Sequence, residues 1–400
     1  MAAEEKRRLP LVALLAAEGV SIAGNQMALV AIPLFVLEAT GSASRTGVTM
    51  FFTFLPTVIA GLFGGALVDR LGFRTTSVAA DVASALAVAA IPLLHRTTGI
   101  EFWQLLVLVF LGALLDSPGN TARSALLPDL VRDSGLSLDR GTALFNAVDR
   151  IATLAGPPIA GVLIAVAGTA DVLWVDAATF VFSAVVVGAA IPRKEKRGTP
   201  ATTYLADLRE GYAFVRRDVA LMSVIGLVAA MNAFDAGLAF VGLPVFAERV
   251  LESPPTLGLL LGVIGTAAAA GSLAFAAWGD RVPRRTTLVV CFVVVSSFFL
   301  GVGALPPLWW VLVHGAISGA AAGPLNGILG AVLYERIPEQ MRGRALGIVR
   351  ALSWMAIPLG GLAAGALIGW IGLRATFLLL GGAYVLTALS SAVNPGLREM

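Results

Sequence analysis

The chain has 400 residues, 58% of them hydrophobic and 13% charged, with a net charge of +3. A soluble domain is roughly 45 to 50% apolar and about a quarter charged, so a water-soluble fold is excluded: it could not hide this much apolar surface. The small positive balance reflects topology and not nucleic-acid binding, and the single cysteine, Cys291, excludes an internal disulfide and a cysteine-based metal site.

The apolar residues fall into runs of about 18 or more, the length a helix needs to cross a hydrocarbon core of roughly 30 Å. In chain order the predicted spans are 9–37, 47–68, 75–94, 102–127, 143–168, 172–192, 219–247, 256–278, 286–305, 307–333, 345–370 and 374–393. Span 1 follows Lys6, Arg7 and Arg8 like a signal peptide, but it runs on to Leu37 and comparable stretches follow, so it reads as a retained helix. With the N-terminus in the cytoplasm, all of the 28 Lys and Arg except Arg45, Arg96, Arg249 and Arg374 fall on the cytoplasmic side, as the positive-inside rule requires. The longest polar stretch, Arg193 to Asp218, divides six spans from six. The expected organisation is an all-α membrane protein with bundles at 1–192 and 219–400 and a cytoplasmic linker at 193–218.

The bundles repeat. Asp69-Arg70 after span 2 matches Asp280-Arg281 after span 8, Pro128 matches Pro338, and Ala160-Gly161 in span 5 matches Gly360-Gly361 in span 11. Offsets of about 200 to 211 residues are what two parallel halves related by an axis along the membrane normal would give.

Gly65-Ala66-Leu67-Val68-Asp69-Arg70-Leu71-Gly72-Phe73-Arg74 closes span 2 and opens span 3. Here the sequence resembles the major facilitator superfamily, whose signature loop reads G-x-x-x-D-R-x-G-x-R/K. Gly65 allows close helix approach and Gly72 a turn conformation costly for other residues. The resemblance implies two pseudo-symmetric six-helix bundles, and a latch of Gly65, Asp69, Arg70, Gly72, Arg74 and Arg123 that breaks and remakes as they rock. The second copy, with Asp280 and Arg281, carries Pro283 in place of a helpful glycine and is expected to be weaker. Simple topogenic charge is the alternative reading.

Span 5 contains Ala152, Gly156-Pro157-Pro158 and Ala160-Gly161, which resembles the superfamily's antiporter motif through Gly156, Pro157 and Gly161. Two motif glycines are alanine here, and an arginine early in span 4 has no counterpart; close packing by small residues is the alternative. Asp116 to Pro128, Leu136 to Arg140, Asp207 to Arg217 and Arg342-Gly343-Arg344 together resemble Tap-type tetracycline and aminoglycoside efflux proteins and their macrolide- and siderophore-exporting relatives. That resemblance covers nearly the whole chain but bears on the cytoplasmic face and not on substrate.

In this fold spans 1, 4, 7 and 10 line the central path. Each carries polar residues at helical spacing: Glu18, Ser21 and Asn25; Asp116, Asn120 and Arg123; Asn232 and Asp235; His314 and Ser318. An ionised carboxylate near the middle of a span costs at least about 2.5 to 3.5 kcal/mol unless it meets water or a partner. Asp235 and Asp116 are therefore candidates for proton coupling, with Glu18 a third nearer the cytoplasmic mouth. A structural ion pair, such as Asp116 with an arginine of its own bundle, is the competing role. Asp81 and Asp149 read as organisers of the gate, Asp176 as lying near the outer surface, and His314 as a packed or cavity histidine.

These readings converge on a proton-coupled exporter of small amphipathic or cationic compounds in the inner cell membrane. It is expected to be a monomer that handles a small molecule and protons in a lipid bilayer, with both termini cytoplasmic and no nucleic acid, metal or cofactor. A phosphate-binding G-x-x-x-x-G-K-[ST] loop is absent, as are H-E-x-x-H and G-x-S-x-G, so neither an ATPase nor a familiar membrane enzyme is expected. An importer, a siderophore-specific exporter, and an enzyme or receptor of the membrane are the alternatives.

Overall fold

A computed structural model describes residues 2–192, 204–338 and 341–394, with side chains except at 2–7, 61–70, 204–208, 280, 343 and 344. All regular structure among the described residues is helical. Lipid offers no partner for a backbone amide, so a spanning segment must satisfy its hydrogen bonds internally.

The first six helices are α1 (Ala2–Thr40), α2 (Ala43–Leu71), α3 (Phe73–Thr97), α4 (Phe102–Ser134), α5 (Leu138–Ala167) and α6 (Thr169–Ala190). A short α7 (Tyr204–Arg217) precedes α8 (Val219–Gly237), which continues through a π turn at Leu238–Gly242 into α9 (Leu243–Arg249). Then come α10 (Thr256–Trp278), α11 (Arg284–Val302), α12 (Leu308–Arg336), α13 (Arg342–Trp354), α14 (Ala356–Ile371) and α15 (Leu373–Val393). Among the described residues 11 helical stretches are long and apolar enough to span a membrane. The 29-residue α2 occupies the place of span 2. Apolar side chains such as Val166 and Trp370, 83% and 84% exposed, cover the outside as a lipid-facing surface requires.

Three features depart from a plain set of spans. Part of the 193–218 linker is helix: Leu205, Leu208, Tyr212 and Val215 recur at helical spacing, and Val215 packs with Leu221, Ile225, Ile337, Ile348 and Val349. Asp218 ends this segment and caps α8 by accepting from the amides of Ala220 and Leu221, the usual satisfaction of orphan N–H groups. Span 7 bulges at Leu238–Gly242, and span 11 is broken at Met355 between α13 and α14.

The chain separates into two compact units, Met1–Phe35 with Phe52–Pro200 and Val36–Phe51 with Ala201–Met400. In the first, α3 packs on α4 and α6, and α5 on α6. In the second, α11 packs on α12 and α15, α10 on α12, and α8 on α14. Within this unit Ser44 donates to the Gly365 carbonyl at 3.1 Å and Arg249 to that of Gly41 at 2.6 Å.

The repeat reaches into detail. Gly168 and Gly372, at φ 90° and 84°, make the same sharp turn into α6 and α15, a conformation open to glycine. Arg74 donates to the Gly188 carbonyl at the end of α6, and Arg285 to that of Ala392 at the end of α15. Gly156 in α5 sits on the backbone of α1 at Ala23, and Gly360 in α14 on that of α8 at Ala233. A side chain at either glycine would collide with the facing helix, so the span 5 and span 11 motifs both serve close packing.

Candidate functional site

The first unit holds a buried polar core centred on Arg123, whose side chain is fully inaccessible. Its Nε donates to Glu18 Oε2 of α1, its Nη1 to Asp81 Oδ1 of α3 at 2.7 Å, and its Nη2 to Asn120 Oδ1 one turn earlier on α4. Ser183 of α6 donates to Asp81 Oδ2 at 2.7 Å. Gly119 makes this possible, because a methyl there would stand 3.2 Å from Ala80 Cβ and 3.5 Å from Asp81 Oδ1. A planar guanidinium with donors in a fixed fork suits two carboxylates and an amide better than a lysine would.

Asp116 lies just beyond. Asn25 and Asn120 donate to its Oδ2 at 3.0 and 2.9 Å, while Oδ1 has no hydrogen-bond partner and stands 3.9 Å from Arg123 Nη2. The side chain is 14% exposed, against 0% for Asp81. Asp116 is thus the accessible member of the group: oriented by two amides, near a cation, yet free on one oxygen.

The structure gathers Glu18, Asn25, Asp116, Asn120 and Arg123 into one cluster. Arg123 belongs to this core, with α1, α3 and α4, about three turns from the end of α4. Two acids are more central than the sequence suggested. Asp81 is a direct partner of Arg123, and Asp176, expected near the outer surface, is 1% exposed and packed against α1. Both were placed by counting residues from a span end. Of the expected latch, Gly72 makes the turn into α3 at φ 86° and Arg74 ties α3 to α6. The side chains at Gly65, Asp69, Arg70 and Asp280 lie outside the described set, and Arg281 is exposed in a 3-10 turn.

The second unit holds a different acid. Asp235 of α8 has the Tyr384 hydroxyl of α15 as its polar neighbour. Tyr384 is 1% exposed and stacks with Phe234 and Phe299 at centroid distances of 5.2 and 6.2 Å. Phe299 meets Phe298, and Phe298 and Trp310 hold the ring of His314 edge-on at 5.9 and 4.6 Å. His314 also pairs with Ser297 Oγ at 3.3 Å, so it is a packed histidine. Asn232 donates to the Ser353 carbonyl at 3.0 Å and not to Asp235, and Ser318 is buried on α12. Tyr384 escaped the sequence reading, although a tyrosine inside an apolar span needs a partner for its hydroxyl and so signals one.

An all-helical membrane architecture with internally repeated bundles and carboxylates buried within the spans is that of a membrane transporter. The family model of the Major Facilitator Superfamily matches residues 14–252 and 225–395, and the chain belongs to that family. It is a transporter and not an enzyme. It is 33% identical over 405 residues to the multidrug efflux pump Tap of Mycolicibacterium fortuitum, covering 98% of each chain. It is 32% identical over 409 residues to Tap of Mycobacterium tuberculosis, covering 98% of this chain and 95% of the relative. Identity to macrolide efflux protein A of Streptococcus pyogenes is 22%, with 96% of each covered. The fold is shared with the nucleoside transporter NupG, at TM-score 0.78, 11% identity and coverage of 96% and 98%. A D-xylose-proton symporter also shares it, at TM-score 0.73, 14% identity and coverage of 95% and 96%.

Proposed function

We propose that this chain is a proton-coupled exporter of small amphipathic or cationic drugs, with both termini cytoplasmic, that acts as a monomer. Its halves, 1–192 and 219–400 joined by 193–218, expose the buried acids alternately to the two sides of the membrane. Near full-length similarity to multidrug efflux pumps supports drug export.

The observation that carries proton coupling is Asp235. Its polar neighbour is a neutral hydroxyl, so it takes up or releases a proton without breaking an ion pair. Of the rings around it, those of Tyr384 and Phe299 are buried against one another, whereas Phe234 is partly exposed and attracts an organic cation. A carboxylate among them binds such a cation when ionised and releases it when protonated. Inward proton flow is thereby converted into outward drug flow.

The test begins with a growth-inhibition panel in a pump-deficient host, to identify a compound whose toxicity the chain relieves. That compound is then followed in proteoliposomes with an imposed proton gradient. Asp235→Asn is expected to abolish uphill transport while leaving downhill exchange, because the amide keeps the shape but has no proton to release. A variant that still concentrates the compound removes Asp235 as the coupling acid.

A further inference from the structure

Asp176 has no part in the mechanism above, yet it is among the most deeply buried polar groups in the first unit, 1% exposed. Its Oδ1 has no hydrogen-bond partner. The carboxyl lies flat on α1: a methyl on Gly24 would collide with Thr179 Oγ1 and stand 2.5 Å from Asp176 Oδ1. The next residue of α1, Asn25, donates to Asp116 Oδ2 at 3.0 Å, and Asp116 Oδ1 is likewise without a hydrogen bond. Two buried carboxyls, each with one oxygen unbonded, therefore flank consecutive residues of one helix.

The charges around them are unbalanced. Facing α6 from its neighbours are Glu18 on α1, Asp81 on α3, and Asp116 and Arg123 on α4, with Asp149 of α5 standing towards Glu18. Arg123 is taken up by Glu18 and Asp81 and reaches Asp116 only at 3.9 Å. Asp116 is the charged neighbour that acts on Asp176, and it is of like sign. Four carboxyls around one guanidinium cannot all be ionised in a largely buried site, since a buried charge must be paired or neutralised. Glu18 and Asp81 hold the counterion closely, Asp116 meets it only at 3.9 Å, and Asp176 has no ion pair among the described residues.

We propose that Asp176 and Asp116 form a proton-sharing carboxyl pair, with Asp176 holding a proton that it exchanges with Asp116. In that exchange an O–H bond breaks on Asp176, one forms on Asp116, and the negative charge moves from Asp116 to Asp176. When a cation engages Asp116, the proton rests on Asp176; when the cation leaves, the proton is shared between the two carboxyls. Use of this step in transport rests on the proposed proton coupling, but the shared proton itself does not.

The pair is tested without substrate by pH-difference infrared spectroscopy of the purified full-length protein in lipid. The carboxylic-acid carbonyl band is compared among the wild type, Asp176→Asn and Asp116→Asn, with Asp235→Asn identifying the component of Asp235. Asp176→Asn should remove one component. In Asp116→Asn the Asp176 component should remain but titrate at a pH about one unit or more lower, because the neighbouring negative charge is gone; an interaction of that size makes two acids titrate as a pair. The second variant keeps Asp176 in place, so the test stands even if Asp176→Asn does not fold. A band unchanged by Asp176→Asn, or an Asp176 component unmoved by Asp116→Asn, overturns the pair. Uphill efflux surviving in Asp235→Asn would instead overturn the coupling at Asp235 and leave the pair standing.

Discussion

Arg123→Ala is the most informative single change in the first unit. The side chain is fully inaccessible and donates to Glu18, Asp81 and Asn120, so its removal orphans two carboxylates in the span interior. Removing one partner of a buried ion pair costs about 3 to 5 kcal/mol, and an unpaired carboxylate at mid-span about 2.5 to 3.5 kcal/mol. The sum for two acids is capped, because each can take up a proton at a cost of about 1.4 kcal/mol per pH unit above its ordinary titration. The expected loss is therefore about 5 kcal/mol at neutral pH, read by equilibrium unfolding of the purified protein in mixed micelles. The sign with pH is fixed: the cost is full where the orphans are ionised in the unfolded chain. It shrinks as acidification neutralises them in both states, and is gone near about pH 4. Adding Glu18→Gln and Asp81→Asn to Arg123→Ala should recover most of the loss at neutral pH. If Arg123→Ala unfolds like the wild type, or if its deficit is the same at pH 5 and pH 8, the guanidinium does not neutralise these acids.

Tyr384→Phe keeps the stacking on Phe234 and Phe299 but removes the hydroxyl beside Asp235. The ionised form of Asp235 loses about 1 to 3 kcal/mol, so the pH for half-maximal transport should rise by about one unit, and an unshifted profile would show that the hydroxyl is not coupled to the acid. Gly47→Ala places a methyl 2.7 Å from the Gly361 carbonyl oxygen and 2.8 Å from Gly365 Cα; neither backbone can yield, and a stability loss of about 1 to 3 kcal/mol in thermal melts is expected, with wild-type melting refuting the close seam. In a Cys291→Ala background, a cysteine at Glu252 should react with an impermeant maleimide outside intact cells, whereas one at Glu335, partner of Arg284 at 2.7 Å, should not; the reverse pattern would invert the membrane orientation.

Helix existence was legible because lipid imposes one rule, a long apolar run with every backbone group satisfied internally, and the rule leaves a mark in every span. The repeat was legible through charged, proline and small-residue landmarks such as Asp69-Arg70 and Asp280-Arg281, whereas the matching turns at Gly168 and Gly372 came only with the structure. The second unit's seam with Val36–Phe51 was not, since helix assignments by composition say nothing of which helix ends travel together. The candidate site was half legible. Periodicity put Glu18, Asn25, Asp116 and Asn120 on faces that the structure brings together, but gave no sign that Asp176 packs against α1. A count of residues from the end of α6, at about 1.5 Å each, treats all helices as flush. The described α1 and α4 run to 39 and 33 residues and α6 to 22, so the ends do not align, and Gly24, deep in α1, lies opposite a residue only two turns into α6.

Shared scaffolding and unshared chemistry separate the two units. Ala23 and Ala233, about 210 positions apart as expected of parallel repeats, receive Gly156 and Gly360 in the same way. Two residues further on stand Asn25 and Asp235. In the first unit this position carries an amide that orients Asp116, whose charge is shared with a network holding a permanent cation. In the second it carries the acid itself, beside a neutral tyrosine among aromatic rings. An acid beside a fixed guanidinium resists protonation, and an acid beside neutral groups accepts it more readily. The repeat thus places an acid at this position in the second unit only, and the accessible acid of the first unit, Asp116, stands elsewhere, oriented by the amide. In the proposed coupling the acid of the second unit alone suffices for antiport, because the direction of flow is set by which side of the membrane the site faces when it binds and releases its proton.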